Sequence, residues 1–187
     1  MDKQLQRKIA LANRRSMGAE ERAKASEMIC RRLLLQPEIL SRRVIFSYLA
    51  TAEEVNLATF HQYAREHGCT LAFPVTGEGG QMEAYIPEDD SHWQYDRYGI
   101  QIPDIRFARR ASPEEISLVL TPLVAFDEAA RRLGHGGGYY DRYFARNPRS
   151  YRLGSAFEAQ KLPEISCSAL DVPLHGVFTE KSFYLCK

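Results

Sequence analysis

The apolar positions of the chain follow a helical period first and a β pattern afterwards. Between residues 3 and 35 they recur every three or four positions with one interruption at Gly18, which predicts two N-terminal helices. The run "RRVIFSYLA" at residues 42–50 is short and rich in β-branched and aromatic residues, as in a buried parallel strand. A helix over about residues 57–67 is expected next, with Gly68 as its C-cap.

Strand patterns and helical patterns then alternate, which favours an α/β fold. "CTLAFPV" and "QMEAYIP" predict two strands on either side of the turn "TGEGG", whereas residues 89–110 lack a clear period and are expected to form a long structured loop. "ISLVLTPLVAF" predicts one central strand, residues 138–145 predict a helix, and "YRLGSAF" and "GVFTE" predict later strands. The expected architecture is a three-layer-like sheet flanked by helices, in a single domain of residues 1–187.

Composition narrows the classes of function. The 25 Lys and Arg residues against 24 Asp and Glu leave a formal charge of +1, which provides no general field for nucleic acid or an anionic membrane. The four cysteines are far apart and form no C-x-x-C pair, which is typical of reduced thiols in a cytoplasm. The longest near-apolar run, "LVLTPLVAF", is too short to span a bilayer. We therefore expect small-molecule partners, no nucleic acid, no membrane and a cytoplasmic location.

The stretch "TPLVAFDEAARRLGHGGGYYDRYF" places three consecutive glycines between an apolar strand and the start of a helix. Glycine lets backbone N–H groups approach an anion, and a helix N-terminus adds about half a positive charge, so this is a candidate phosphate site. Arg131 and Arg132 could add bidentate contacts, and Asp141 could complement the helix dipole or hold magnesium. The alternative is a flexible turn followed by core tyrosines, because neither the Walker A nor the Rossmann glycine pattern fits.

The same stretch resembles the signature of the 5-formyltetrahydrofolate cyclo-ligase family, in which a strand ending in A-F-D leads to R-L-G-x-G-x-G-Y-Y-D. Further resemblances lie at "AEER", at "EEV" after the first strand, at "YGI" and at "DVPLHGVFTE". The resemblance implies a fold similar to the NagB/RpiA/CoA-transferase class. It also implies closure of 5-formyltetrahydrofolate to 5,10-methenyltetrahydrofolate, with ATP as co-substrate, magnesium as cofactor, and release of ADP and phosphate.

The resemblance also implies site residues at the matching positions of this chain. For ATP they lie in the first helix and the glycine stretch: Lys3, Arg7, Arg132, Leu133, Gly134, His135, Gly136, Gly137, Gly138, Tyr139 and Tyr140. For the folate they are Leu49, Glu54, His135, Gly136, Gly137, Gly138 and Tyr139. The magnesium ligand matches Asp141, and Arg132 and Asp141 are expected to be catalytic.

Two positions depart from the family pattern. His135 stands where arginine is frequent, so it either brings charge to the phosphates when protonated or serves as a neutral spacer. His175 stands where some members have a second magnesium-binding acid, and Asp171 is only a weak candidate for that role.

The implied reaction starts with transfer of the γ-phosphoryl group of ATP to the formyl oxygen, followed by attack of nitrogen 10 and loss of phosphate. Such chemistry depends on positioning and charge neutralisation, which suits a chain without a recognisable nucleophile triad. Glu54 would accept hydrogen bonds from the pterin, although it could instead cap its own loop. A sugar-phosphate isomerase or CoA-transferase-like enzyme and a non-catalytic binding module are the competing functions.

Two further groups give weaker signals. Phe73, Trp93 and Tyr98 could form a wall for the folate ring, but aromatic residues also fill cores. Three arginines between residues 106 and 110 could contact a polyglutamate tail on the folate, with a solvated loop as the alternative.

Overall fold

The computed structural model describes residues 1–96 and 99–186, so the predicted wall residue Tyr98 lies outside the described residues. Its helices are α1 (Lys3–Ser16), α2 (Ala19–Leu34), α3 (Pro37–Leu40), α4 (Ala58–Glu66) and α5 (Tyr139–Arg146). Its strands are β1 (Val44–Phe46), β2 (Thr70–Thr76), β3 (Met82–Pro87), β4 (Trp93–Tyr95), β5 (Gln101–Pro103), β6 (Ala108–Arg110), β7 (Leu118–Pro122), β8 (Ala125–Phe126), β9 (Arg132–Leu133), β10 (Tyr151–Ser155), β11 (Gly176–Phe178) and β12 (Phe183–Leu185).

The main sheet contains eight strands in the order β12-β11-β10-β7-β1-β2-β3-β6. Its central strands β11, β10, β7, β1 and β2 run parallel to one another. Strands β12, β3 and β6 extend the two edges in antiparallel pairing. Strands β4 and β5 form a separate hairpin, as do β8 and β9. The α/β architecture expected from the sequence is confirmed.

Apolar side chains cover both faces of the sheet because successive strand residues point to opposite sides. In β7, Leu118 and Leu120 join one apolar cluster with residues of α2 and α4, whereas Val119 joins a second cluster with residues of α5. In β1, Ile45 and Phe46 divide between the same two clusters. Helices therefore flank the sheet on both sides, as the sequence predicts.

Helix α1 packs outside this sandwich, against the β8–β9 hairpin and the segment that follows β10. Ala10 is fully buried in a third apolar cluster that includes Leu162 and Ile165. Gln6 is also buried and accepts a hydrogen bond from the Ser166 N–H at 3.1 Å. These contacts fix the helix along its length, so its two ends have defined positions relative to the sheet. None of the helices in the described part of the chain has the length and apolarity that crossing a membrane requires.

Three sequence predictions about elements are wrong in part. Residues 89–110 contain β4, β5 and β6 instead of a loop, because their short aromatic and apolar runs pair with strands that the local pattern does not reveal. The apolar run at residues 116–126 forms two strands, since Pro122 has no N–H for continuing the ladder. The strand predicted at residues 42–50 is limited to Val44–Phe46, and the chain then leaves the sheet.

Candidate active site

Two connections leave the carboxyl ends of the neighbouring parallel strands β1 and β7, and the second passes through β8 and β9 before α5. After β1 the chain continues through α4 to β2 on one side, and after β7 it continues through α5 to β10 on the other side. Such a reversal opens a crevice above the strand ends, which is where open α/β sheets bind ligands. Residues 47–57 are called the strand-exit loop, and residues 134–138 the glycine loop.

The glycine loop joins β9 to α5 through a sharply bent backbone. Gly136 and Gly138 have φ angles of 104° and 65°, a region that residues with a Cβ rarely adopt. A Cβ on Gly137 would lie 2.8 Å from the ring of Tyr139, so a larger residue there would require that ring to shift. Gly138 also occupies the N-cap of α5 and has no capping side chain, so the first N–H groups of the helix are available to another acceptor.

Two arginines hold the glycine loop by its backbone carbonyl groups. Arg7 of α1 donates from Nε to the oxygen of Gly134 at 2.8 Å. Arg142 of α5 donates from Nη2 to the oxygen of Gly137 at 2.7 Å. The guanidinium of Arg7 also lies directly beside Gly136, where a Cβ would be 3.3 Å from Nη2. Arg7, one of the two predicted ATP residues of the first helix, is therefore in contact with the predicted phosphate loop.

Arg132 and Asp141 form an ion pair next to this loop. Nη2 of Arg132 lies 2.6 Å from Oδ1 of Asp141, and the two side chains are 6% and 22% exposed. Burial lowers the pKa of Arg132, while the carboxylate of Asp141 acts in the opposite direction. Oδ1 of Asp141 also accepts the N–H of Val172 at 3.0 Å. The pair thus places a cation and a carboxylate together at the N-terminal end of α5, where the helix dipole favours negative charge.

Lys3 reaches the same region from the beginning of α1. Its Nζ lies 2.5 Å from Oδ2 of Asp171, an oxygen that also accepts the N–H of Ser168 at 2.6 Å. Burial acts to raise the pKa of Asp171, but the hydrogen bonds from Lys3 and Ser168 outweigh it and the pKa is lowered. Asp171 directly precedes Val172, so one short segment contacts both Lys3 and Asp141.

Glu54 lies on the opposite side of the crevice, in the strand-exit loop. Its side chain is only 12% exposed, and its Oε1 is 3.9 Å from Nε2 of His135 in the glycine loop. Its Oε2 accepts the N–H of Thr51 at 3.0 Å, which fixes the orientation of the carboxylate. Burial raises the pKa of Tyr140, and the negative charge of Glu54 contributes to the same shift. Glu54, predicted for the folate, therefore lies against His135, which is predicted for both ATP and the folate.

A cavity of about 330 Å³ opens beside the strand-exit loop. It is lined by residues 49–52 of that loop and by Tyr95, Ile100 and Gln101 on the side of the β4–β5 hairpin. Phe73 and Trp93, which could form a wall for the folate ring or belong to the core, pack on each other with ring centroids 5.3 Å apart. The structure thus offers Tyr95 as the aromatic lining, a residue whose position in a hairpin the sequence pattern does not reveal.

Comparison with known proteins assigns this chain to a family. The model of the 5-formyltetrahydrofolate cyclo-ligase family matches residues 1–180. The chain belongs to the 5-formyltetrahydrofolate cyclo-ligase family. The 5-formyltetrahydrofolate cyclo-ligase of Haemophilus influenzae is 28% identical over 142 residues, which cover 75% of this chain and 68% of that protein. The 5-formyltetrahydrofolate cyclo-ligase of Escherichia coli K12 is 25% identical over 171 residues, which cover 89% and 93%.

Solved structures agree with this membership. The 5,10-methenyltetrahydrofolate synthetase of Aquifex aeolicus has a TM-score of 0.87 at 28% identity, covering 100% of this chain and 94% of that one. A 5,10-methenyltetrahydrofolate synthetase from Mycoplasma pneumoniae has a TM-score of 0.77 at 22% identity, covering 96% and 99%, and this likeness supports the fold. The resemblance noted in the sequence is confirmed, and the chain is an enzyme of the cyclo-ligase family.

Some candidate side chains of this cyclo-ligase family member are engaged away from the crevice. Arg131 donates to Asp127 at 2.6 Å and to Glu164 at 3.3 Å. His175 accepts the N–H of Arg152 on its Nδ1 at 2.9 Å, so this ring nitrogen is occupied by backbone.

The three arginines between residues 106 and 110 also have partners. Each guanidinium pairs with an acidic side chain, in the pairs Arg106 with Asp104 at 2.5 Å, Arg109 with Glu115 at 2.8 Å, and Arg110 with Glu83 at 2.9 Å. These pairs favour the interpretation of a solvated surface over that of a binding site for a polyglutamate tail.

Proposed function

We propose that this enzyme converts 5-formyltetrahydrofolate to 5,10-methenyltetrahydrofolate while ATP is converted to ADP and phosphate. The observation that carries the proposal is the distance of 3.9 Å between Nε2 of His135 and Oε1 of Glu54. This close approach brings the glycine loop, which suits a triphosphate, next to the strand-exit loop, which suits a pterin. Two reactants bound to these loops would therefore meet in one crevice. The names of the Haemophilus influenzae and Escherichia coli relatives support the same reaction.

The glycine loop and α1 would bind the triphosphate. The uncapped N-terminus of α5 and the close backbone of the loop offer N–H donors to phosphate oxygens. Arg7 already lies beside Gly136, and Lys3 is held by Asp171 at 2.5 Å. Both cations would add charge that the backbone donors lack.

A magnesium ion fits this set of residues through Asp141. Magnesium in nucleotide sites is commonly held by one or two carboxylates together with substrate phosphates and water. No group of three or more His, Cys, Asp and Glu side chains within residues 1–96 and 99–186 is placed to hold a metal without such phosphates. Arg132 and Val172 both contact Oδ1 of Asp141, which leaves Oδ2 as the oxygen for the ion. When bound, magnesium supplies neutralisation of phosphate charge.

The strand-exit loop would bind the folate. The carboxylate of Glu54 can accept a fork of hydrogen bonds from adjacent donors on the pterin ring. Leu49 and Tyr95 line the cavity of about 330 Å³ beside this loop and would contact apolar parts of the ligand.

In the proposed reaction the γ-phosphoryl group passes from ATP to the formyl oxygen, and its bond to the ADP oxygen breaks. Nitrogen 10 then attacks the formyl carbon, the carbon–oxygen bond breaks, phosphate leaves, and the proton of nitrogen 10 passes to solvent. Arg132 would stabilise the charge on the transferring group, with its guanidinium oriented by Asp141 at 2.6 Å.

We also propose that the enzyme acts in the cytoplasm on soluble substrates. Cys30 and Cys69 are buried thiols outside any disulfide, which suits a reducing compartment.

The test is to mix the protein with ATP, magnesium and 5-formyltetrahydrofolate and to follow the methenyl chromophore and phosphate release together. Both products in equal amounts, and only with all reactants present, would support the proposal. Phosphate release without the folate would indicate a simple ATPase. Binding without either product would indicate a non-catalytic module, and an isomerase or transferase would leave ATP intact.

A further inference from the structure

Helix α1 carries a buried arginine that the proposed chemistry does not use. Arg14 is 3% exposed and lies seven residues after Arg7, about two helical turns along the same face. Its Nη2 donates to Oε2 of Glu53 at 3.2 Å. Its Nε and Nη1 are buried and have no hydrogen-bond partner among the described residues. A guanidinium buried in this way needs an anionic neighbour to offset its lost hydration, and Glu53 provides that charge.

Glu53 belongs to the strand-exit loop and binds α1 through two arginines. Besides Arg14, it accepts from Nε of Arg15 at 3.1 Å on Oε1 and at 3.3 Å on Oε2. Burial acts to raise the pKa of Glu53, but the hydrogen bonds from Arg14 and Arg15 outweigh it and the pKa is lowered. The carboxylate therefore stays ionised and attached to the helix near neutral pH.

Neighbouring residues of the strand-exit loop thus have different partners. Glu53 contacts α1, while Glu54 contacts Thr51 of its own loop and lies 3.9 Å from His135. Because one peptide bond joins them, the attachment of Glu53 limits where the carboxylate of Glu54 can lie.

We propose that Arg14 and Glu53 are positioning residues for the folate-binding loop, and that α1 joins this loop to the ATP-binding residues. The inference rests on the proposed function. Lys3 and Arg7 in the first half of α1 contact the phosphate side, and Arg14 in its second half contacts the folate side.

The test compares Glu53→Gln and Arg14→Met with Arg15→Gln as a matched control. Arg15 binds the same carboxylate, but its side chain is 64% exposed, so its loss should have little effect. We expect Glu53→Gln and Arg14→Met to raise the KM for 5-formyltetrahydrofolate at least about threefold, with the KM for ATP nearly unchanged. Arg15→Gln should change either KM by less than about 1.5-fold. Isothermal titration calorimetry measures the folate affinity of each variant independently of turnover.

The double variant Arg14→Met with Glu53→Gln separates positioning from folding. Glu53→Gln alone leaves a buried cation without a carboxylate, whereas the double variant removes both charges and should regain thermal stability. Positioning predicts that folate affinity stays reduced in the double variant. Recovery of folate affinity together with stability would overturn the inference, as would an unchanged folate KM in Glu53→Gln. If the wild type forms no methenyl product, the proposed function fails, and the calorimetric titrations of folate still decide the positioning role.

Discussion

The glycine loop and the strand-exit loop form the two sides of one crevice but are shaped in different ways. The glycine loop takes its form from its own residues, since Gly136 and Gly138 adopt positive φ angles. The strand-exit loop contains no glycine between residues 47 and 57 and is held by side chains. Tyr48 donates its hydroxyl to the oxygen of Val55 at 2.9 Å and therefore accepts from Ser155 at 2.7 Å. The bend of the glycine loop is thus specified by its own glycines, with Arg7 and Arg142 holding its carbonyl groups, whereas the strand-exit loop depends on contacts with distant side chains for its form.

This difference determines how much of each loop can be predicted from the sequence alone. A glycine required by its own backbone leaves a compositional signal that can be recognised without a structure. The anchors of the strand-exit loop leave none, because Arg14 is 39 positions from Glu53 and Ser155 is 107 positions from Tyr48. Substitutions in the glycine loop should therefore change ATP affinity and turnover. Substitutions around the strand-exit loop should change folate affinity, and their effects should depend on whether the surrounding fold stays intact.

The largest expected effect is a loss of folding stability in acid, and it arises where the strand-exit loop begins. Nε2 of the buried His61 lies 2.7 Å from the hydroxyl of Ser47, directly after β1. Burial, with a smaller effect of Arg65, lowers the pKa of His61 from 6.5 to about 3. Between these values the unfolded chain binds a proton that the folded chain excludes, so stability falls as the pH is lowered from 6.5 towards 3. At about pH 5 the loss from this group is about 2 kcal/mol.

Urea unfolding at neutral pH and in mild acid measures this loss. The control is His61→Gln, because glutamine keeps a polar group near Ser47 and cannot titrate. We expect the variant to lose less stability than the wild type on acidification. Equal losses in both proteins would show that other groups control the acid response.

The second prediction concerns Asp141→Asn on the glycine-loop side. Asparagine keeps an oxygen for the Val172 N–H but loses the charge that faces Arg132 and the proposed magnesium ion. We expect turnover to fall at least about tenfold, which corresponds to roughly 1.4 kcal/mol of transition-state stabilisation. Turnover is measured across a magnesium titration, with the KM for the folate as the internal control. If rate and magnesium dependence are both unchanged, Asp141 serves only the helix dipole.

The third prediction concerns Glu54→Gln and tests whether the two loops serve different reactants. Glutamine retains a hydrogen-bonding oxygen but has no negative charge to accept from the pterin. We expect folate affinity to fall about fivefold, which is the scale of one weakened charge-assisted hydrogen bond. ATP affinity, measured by equilibrium titration, should change little. Equal loss of both affinities would mean that Glu54 supports the fold of the crevice instead of one ligand.

Much of the fold could be predicted because buried parallel strands and amphipathic helices carry their signals locally. The elements missed are those defined by a partner: the β4–β5 hairpin lies in a segment without a period, and β12 is a three-residue edge strand. A short strand of this kind is stabilised by the strand it pairs with, so its own residues do not specify it.

The candidate site divides in the same way. The glycines and Asp141 could be predicted from a continuous motif, and Glu54 only through the family resemblance. Arg142, which donates to the oxygen of Gly137, was missed although it lies in the same motif, because its role depends on where the loop carbonyls point. Arg131 shows the converse, since its place beside Arg132 predicted a phosphate contact and its guanidinium binds Asp127 instead.

The smallest expected effect belongs to His135, the residue that lies between the two loops. Its side chain is 64% exposed and its Nε2 is 3.9 Å from Glu54, so a charge on it would be well screened by water. Lys3, Arg7 and the backbone donors of the loop already serve the triphosphate in the proposed site.

We therefore expect His135→Ala to change ATP affinity by less than about threefold, and His135→Arg to tighten it by a similarly small factor. Arginine carries a permanent charge and alanine carries none, so a contribution of charge from His135 should place the ATP affinity of the wild type between those of the two variants. Equilibrium titrations of ATP on all three proteins decide between charge and spacer. Superimposable curves would eliminate the charge interpretation and leave His135 as the residue that only spaces the glycine loop from Glu54.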